Sequence, residues 1–155
     1  MNYILIYRRE REYAYRFFTA DFLSRMVCLV FFIAYPTTLE RTVVEGSGIF
    51  EEAVRLLYAL DAPTNLFPSI HCLVSWFCFI GIVGDKNIKK WYKIASFFMA
   101  LAVFISTLTT RQHVILDVIA GVILAQLTYY ISQKTQLWKI VEKPFDRLNR
   151  MFVGN

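Results

Sequence analysis

Two histidines and the residues spaced around them are the part of this sequence that could do chemistry. The chain holds only His71 and His113. Asp117 follows His113 at i+4, a spacing that puts imidazole and carboxylate on one face of a helix. A carboxylate there accepts a hydrogen bond from one ring nitrogen, fixes the tautomer and leaves the other nitrogen free as an acceptor, as the orienting aspartate of a hydrolase triad does. Continuing by fours adds Gly121 and Ala125, small enough to let a second helix approach that face closely. The other histidine sits in Phe67-Pro68-Ser69-Ile70-His71. Pro68 suits the first position of a helix, and the free backbone N–H groups around Ser69 and Ile70 would make a phosphate site. His71 would lie one turn in.

The elements that must carry these residues are membrane helices. Of 155 residues, 57% are hydrophobic and 19% charged, and the apolar residues cluster in runs too large for a soluble domain of this size to hide. Four runs stand out: about Phe17–Tyr35, ending at Pro36, then Pro68–Val83, Trp91–Leu108 and His113–Ile131. Each approaches the ~20 residues that cross a bilayer, the second being short. Asp21 and Arg25 in the first run are spaced to pair on one helix face. Between the first two runs, Ile49–Leu60 reads as a short interfacial helix opened by Ser47 and Gly48. The predicted fold is all-α: a single membrane domain over residues 1–155, a polytopic bundle of about four transmembrane helices over 17–132, and one short interfacial helix.

Charge orients the bundle. The formal net charge is +5. The N-terminal segment through Arg16, the Asp85–Lys90 loop and the tail after Ser132 are all net basic, whereas the loop 37–67 carries Glu40, Glu45, Glu51, Glu52 and Asp61 against Arg41 and Arg55. Four crossings put the three basic segments on one side, the cytoplasm. Both termini are then cytoplasmic. The long loop and the turn Thr109–Gln112 share the outer face, with the plasma membrane the expected location. Basic residues in short segments between apolar runs are not the continuous stripe of a nucleic-acid binder. Cys28, Cys72 and Cys78 lie in apolar runs and read as small hydrophobes. Asn2–Tyr7 followed by Arg8–Arg11 does not read as a signal peptide.

Both histidines therefore start helices at the outer face, and Arg41 and Arg111 belong to that face too. Two imidazoles, a carboxylate, two guanidiniums and a helix N-terminus make an anion site with an acid and a base attached. In-line phosphoryl transfer would set the reactive nitrogens roughly 6–8 Å apart. Singly, each residue has a plainer explanation: a satisfied interfacial histidine, a snorkelling Arg111, an Asp117 bonding a neighbouring helix, small residues that only pack. Their joint placement favours the site. A metal centre is the weaker reading, because His and Asp are present without a clustered ligand set.

These residues resemble a known family. Pro68-Ser69-Ile70-His71 is similar to the Pro-Ser-Gly-His signature of the type 2 phosphatidic acid phosphatase superfamily, and Ser106-Thr107, His113, Asp117 and Gly121 resemble its Ser-Arg-x5-His-x3-Asp signature. The resemblance covers about 35–121. It implies a phosphoric ester hydrolase working on a lipid phosphate through a phosphohistidine, with no cofactor or metal. His113 would be the nucleophile, Asp117 its orienting partner and His71 the acid that protonates the leaving oxygen. Ser69, Arg41, Arg111 and Thr107 would surround the phosphate. The chain departs from the family pattern at Ala34 and Thr42, which stand where its first signature has Lys and Pro, and at Ile70 and Thr107. The last two also occur in the branch resembling inositol phosphorylceramide synthases, which transfer a phospho-headgroup. The family commonly has six crossings, so the chain resembles a member shortened at the N-terminus. That form implies either recruitment of partner helices or a homo-oligomer, or a catalytically weak or inactive lipid-binding relative.

Overall fold

The computed structural model describes residues 2–41 and 43–143. Thr42 and the basic end of the tail, Arg147 and Arg150, lie outside the described residues. Six helices follow in order: α1 (Asn2–Tyr7), α2 (Arg11–Ala34), α3 (Ile49–Leu60), α4 (Ile70–Val83), α5 (Lys90–Thr109) and α6 (Ile115–Lys134). Among the described residues the only β-pairing is an isolated bridge between Thr38 and Thr64.

Three helices, α2 with 24 residues and α5 and α6 with 20 each, are long and apolar enough to cross a membrane. With α4 they mark a polytopic integral membrane bundle. α3 spans the residues expected of it, with Gly48 as its N-cap. α2 starts six residues earlier than the apolar run, because Arg16 turns back onto Glu12 (2.8 Å) and extends the helix through a charged turn. The second run, expected to be short, gives the shortest of the four bundle helices: α4 has 14 residues, about 21 Å at ~1.5 Å per residue. It shortens because Pro68 lies before the helix and Ser69, not Pro68, opens it. α4 is also enclosed by other helices, so its backbone polar groups near the ends are met by protein instead of lipid.

α4 sits in the middle of the bundle, packed on α5 and α6, while α6 also packs along α2. Its first turn lies beside the start of α6, where the Ser69 N–H donates to the Asp117 carbonyl (3.1 Å). Its far end meets the start of α5, where Lys93 Nζ donates to the Val83 carbonyl (2.9 Å). α4 and α6 are thus neighbours that begin on one face, as the sequence predicts. The other end of α6 is fixed by Arg16, whose Nη1 donates to the carbonyls of Ser132, Gln133 and Thr135 at 2.8 Å each. These are carbonyls that the end of a helix leaves without intrahelical donors.

Asn2–Tyr7 forms a helix that turns back into the bundle. Ile6 is fully buried, and Asn2 Nδ2 donates to the Cys78 carbonyl and Ser96 Oγ, both at 2.9 Å. Gly81 makes room, since a Cβ there would run into Phe17 and Ile6. Asp21 and Arg25 pair at 3.0 Å as expected, and Tyr3 Oη adds a hydrogen bond to Asp21 Oδ1 at 3.2 Å. Large apolar side chains left exposed on α5 and α6, such as Phe98, Ile105, Ile123 and Leu127, face the lipid in this reading.

Candidate active site

The site is built where the two histidine-bearing segments start. Asp117 occupies the third position of α6, and its Oδ2 accepts the N–H of the N-cap residue Val114 at 3.0 Å. The same oxygen lies 3.4 Å from His113 Nδ1. The expected pair therefore forms, by a different route. His113 precedes the helix instead of sharing its face, and Asp117 reaches back to it while capping the first turn. Both side chains are buried, 7% and 8% exposed. With Nδ1–H turned to Asp117, the lone pair on Nε2 is left free to accept. Burial, reinforced by the neighbouring His71 imidazole, pushes the His113 pKa below the ordinary histidine value against the opposing pull of Asp117. A lowered pKa favours the neutral imidazole.

His71 is the second residue of α4. Its ring centroid lies 5.7 Å from that of His113, with the planes at 67°. Its side chain is 44% exposed, so a buried imidazole stands edge-on to an open one. Ser69 is fully buried, and its hydroxyl oxygen accepts the Cys72 N–H at 3.4 Å as the helix cap. The Ser69 N–H is spent on Asp117. This corrects the expectation of free N–H groups around Ser69: only those of Ile70 and His71 are left without an acceptor among the described residues.

Thr107 lies one layer below the gap. Its carbonyl takes the N–H groups of Gln112 (2.9 Å) and His113 (3.2 Å), and its Oγ1 sits 3.7 Å from Cys72 Sγ. It shapes the α5–α6 turn that presents His113. Arg111 takes a left-handed conformation in that turn, φ 50°. It is exposed, and its guanidinium makes no hydrogen bond or ion pair with the described residues. Arg41 is committed elsewhere. Its Nη2 binds Asp61 Oδ2 at 3.0 Å, its Nη1 binds the Asp61 and Tyr58 carbonyls at 2.5 and 3.2 Å, and it stacks on the Tyr58 ring. The pairing of Leu39 with Pro63 and of Thr37 with Asn65 brings these loop segments together.

Asp61, Tyr58 and Gln112 are site residues that motif reasoning missed. Gln112 Nε2 donates to Asp61 Oδ2 at 2.9 Å, and Tyr58 Oη donates to the Thr110 carbonyl at 2.8 Å. Asp61 entered the sequence argument only as one of the outer loop's acidic charges. The usable signal was its position just before the Pro68–His71 segment in a loop that also holds Arg41. Among the described residues no group of three or more His, Cys, Asp or Glu is placed to hold a metal ion.

A family model described as the PAP2 superfamily matches residues 1–131. The chain belongs to the PAP2 superfamily. No curated protein and no solved structure matches it. PAP2 membership brings phosphatase-type chemistry on phosphate esters, and in this PAP2 chain both histidines stand at the shared start of α4 and α6.

Gly121 makes that shared start possible. A Cβ on it would lie 2.5 Å from the Ser69 carbonyl oxygen and 3.4 Å from the Leu73 nitrogen. Gly121→Ala gains about 1 kcal/mol of helix propensity but forces two backbones apart, an overpacking that costs about 1–3 kcal/mol. The expected result is an equal or lower unfolding temperature in mild detergent together with a turnover loss on the order of 10²-fold, since ~1 Å of misplacement suffices for that. Unchanged turnover would show that the contact does not set the geometry.

Proposed function

We propose that this protein is a membrane enzyme that takes the phosphoryl group of a lipid phosphate ester onto His113 and passes it to water or an alcohol. The observation that carries this reading is the 5.7 Å juxtaposition of His71 with a His113 that Asp117 backs. His113 Nε2 attacks phosphorus while His71 protonates the departing alkoxide. The N–H groups of Ile70 and His71, with Arg111, bear on the phosphoryl oxygens, where preorganised donors are worth most. Water or an alcohol then attacks phosphorus, the N–P bond breaks, and His71 takes back a proton.

Transfer of a phospho-headgroup is favoured over hydrolysis of a monoester by one observation. Arg41 is neutralised by Asp61, which leaves Arg111 as the unpaired cation among the described residues of the face. So few positive charges match a monoanionic phosphodiester better than a dianionic monoester. The basic flanks of α2, α4 and α5 support a site on the outer face of the plasma membrane with both termini in the cytoplasm.

One assay tests activity and sidedness together. Intact cells expressing the protein are given impermeant short-chain phosphatidate or phosphatidylinositol, and phosphate release and headgroup exchange are measured before and after permeabilisation. Activity is expected without permeabilisation and should depend on His113. Activity that appears only after permeabilisation would reverse the orientation, and none with either lipid class would favour the inactive-relative reading.

A further inference from the structure

In the scheme above Asp61 only neutralises Arg41, yet it meets residues from four segments around the site. It follows the last residue of α3, bonds Arg41 from the loop after α2, bonds Gln112 from the α5–α6 turn, and faces His71 at the start of α4. Its two carboxylate oxygens have different surroundings. Oδ2 is held from two directions, by Arg41 Nη2 at 3.0 Å and Gln112 Nε2 at 2.9 Å. Oδ1 lies 3.9 Å from His71 Nε2. Two donors on one oxygen stop the carboxylate from rotating, so the direction of the other oxygen toward His71 is fixed. A brace between loops would need Oδ2 alone.

We infer that Asp61 is the positioning carboxylate of His71, so that the site contains two histidine–aspartate dyads, His113–Asp117 for the nucleophile and His71–Asp61 for the acid and base. The inference rests on the reading of His71 given above. In the first step the His113–phosphorus bond forms, the bond from phosphorus to the ester oxygen breaks, and that oxygen takes the proton of His71. In the second step the incoming oxygen bonds phosphorus, the N–P bond breaks, and the proton of the water or alcohol goes to His71. His71 alternates between imidazole and imidazolium, and a fixed carboxylate holds the ring in one orientation through both steps. The two atoms are 3.9 Å apart, somewhat beyond the ~3.2 Å limit of a hydrogen bond. Asp61 and His71 are 31% and 44% exposed, so the charge attraction is screened and orientation is the larger part of the effect.

The role predicts a leaving-group signature. Formation of the phosphoenzyme is followed by rapid quench for the wild type, Asp61→Asn, Asp61→Glu and His71→Ala, using dioctanoyl phosphatidate in mixed micelles and p-nitrophenyl phosphate. The alkoxide of phosphatidate needs a proton to leave and nitrophenolate does not. Asp61→Asn is expected to slow the phosphatidate reaction about 10–100-fold, a part of the ~10²–10⁴-fold that a positioned acid or base contributes. It should slow the nitrophenyl reaction less than about threefold, in the same sense as His71→Ala but less severely. A purely structural role, or a loosened Arg41, would affect both substrates alike. Equal losses, or no loss with phosphatidate, overturn the inference. If Asp61→Asn does not fold, Asp61→Glu must show the same inequality, and equal rates for that variant overturn it too. His113→Ala separates the two claims: a phosphoenzyme still formed by it defeats the underlying reading, whereas its loss together with Asp61 variants blind to the leaving group defeats this inference alone.

Discussion

His113→Ala is expected to lower turnover of a competent lipid phosphate by on the order of 10⁴-fold or more, with little change in KM. The residue contributes the reacting atom, and nothing beside it can replace that atom. Its neighbour Asp117 holds Oδ2 on the Val114 N–H and beside His113 Nδ1. His71 is open and stands across the gap. The pH dependence carries a matching sign. The neutral imidazole is the nucleophile, and burial with the nearby His71 holds its pKa below the ordinary value. It therefore stays neutral as pH falls through the usual histidine midpoint of ~6.5. The loss of kcat on acidification should set in below that pH. A decline beginning clearly above it would mean that the titrating group is not this buried ring.

Asp117→Asn is expected to cut kcat by about 10⁴-fold while sparing substrate binding, following the logic of a triad aspartate. Aspartate accepts from His113 Nδ1–H and so leaves Nε2 unprotonated. An asparagine whose oxygen takes the Oδ2 place still serves both the Val114 N–H and Nδ1–H, but it is neutral and no longer stabilises the positive charge that the ring develops as Nε2 attacks. The cap of α6 survives in the variant, because the side-chain oxygen still serves Val114, so the unfolding temperature should change little. A steady-state comparison of kcat and KM checks this. A loss confined to KM would assign Asp117 to binding or folding.

Much of this arrangement is legible in the sequence, because hydropathy and charge act over whole segments. The apolar runs lead to α2, α5 and α6 within a few residues, and the dipole of a single loop composition, acidic against basic, is enough to gather both histidines on one face. The pairing of His113 with Asp117 follows from their spacing even though the supposed helix start was two residues too early. The i,i+4 distance is bridged equally well by a capping carboxylate reaching back from the third helical position. What the sequence hides is decided by capping and by long-range loop contacts. Pro68 marks a helix start in general, but Ser69 can satisfy the Cys72 N–H and so takes the cap, which moves His71 to the second position, while the Ser69 N–H expected for phosphate goes to the Asp117 carbonyl. Arg41 looked like a free phosphate ligand because no spacing rule links it to Asp61. Their meeting depends on the loop 37–41 folding along 61–67, a contact between segments with no shared periodicity.

The central claim is that His113 Nε2 carries the phosphoryl group, and trapping the intermediate tests it most directly. Purified protein is mixed with phosphatidylinositol or phosphatidate labelled in its phosphate, quenched in alkali, where a phosphohistidine survives, and digested for mass spectrometry. One phosphoryl group on Nε2 of His113 is the predicted result, present in His71→Ala with a nitrophenyl donor and missing from His113→Ala. Turnover without any protein-bound phosphate, or label on His71 or any other residue in its place, would contradict the account.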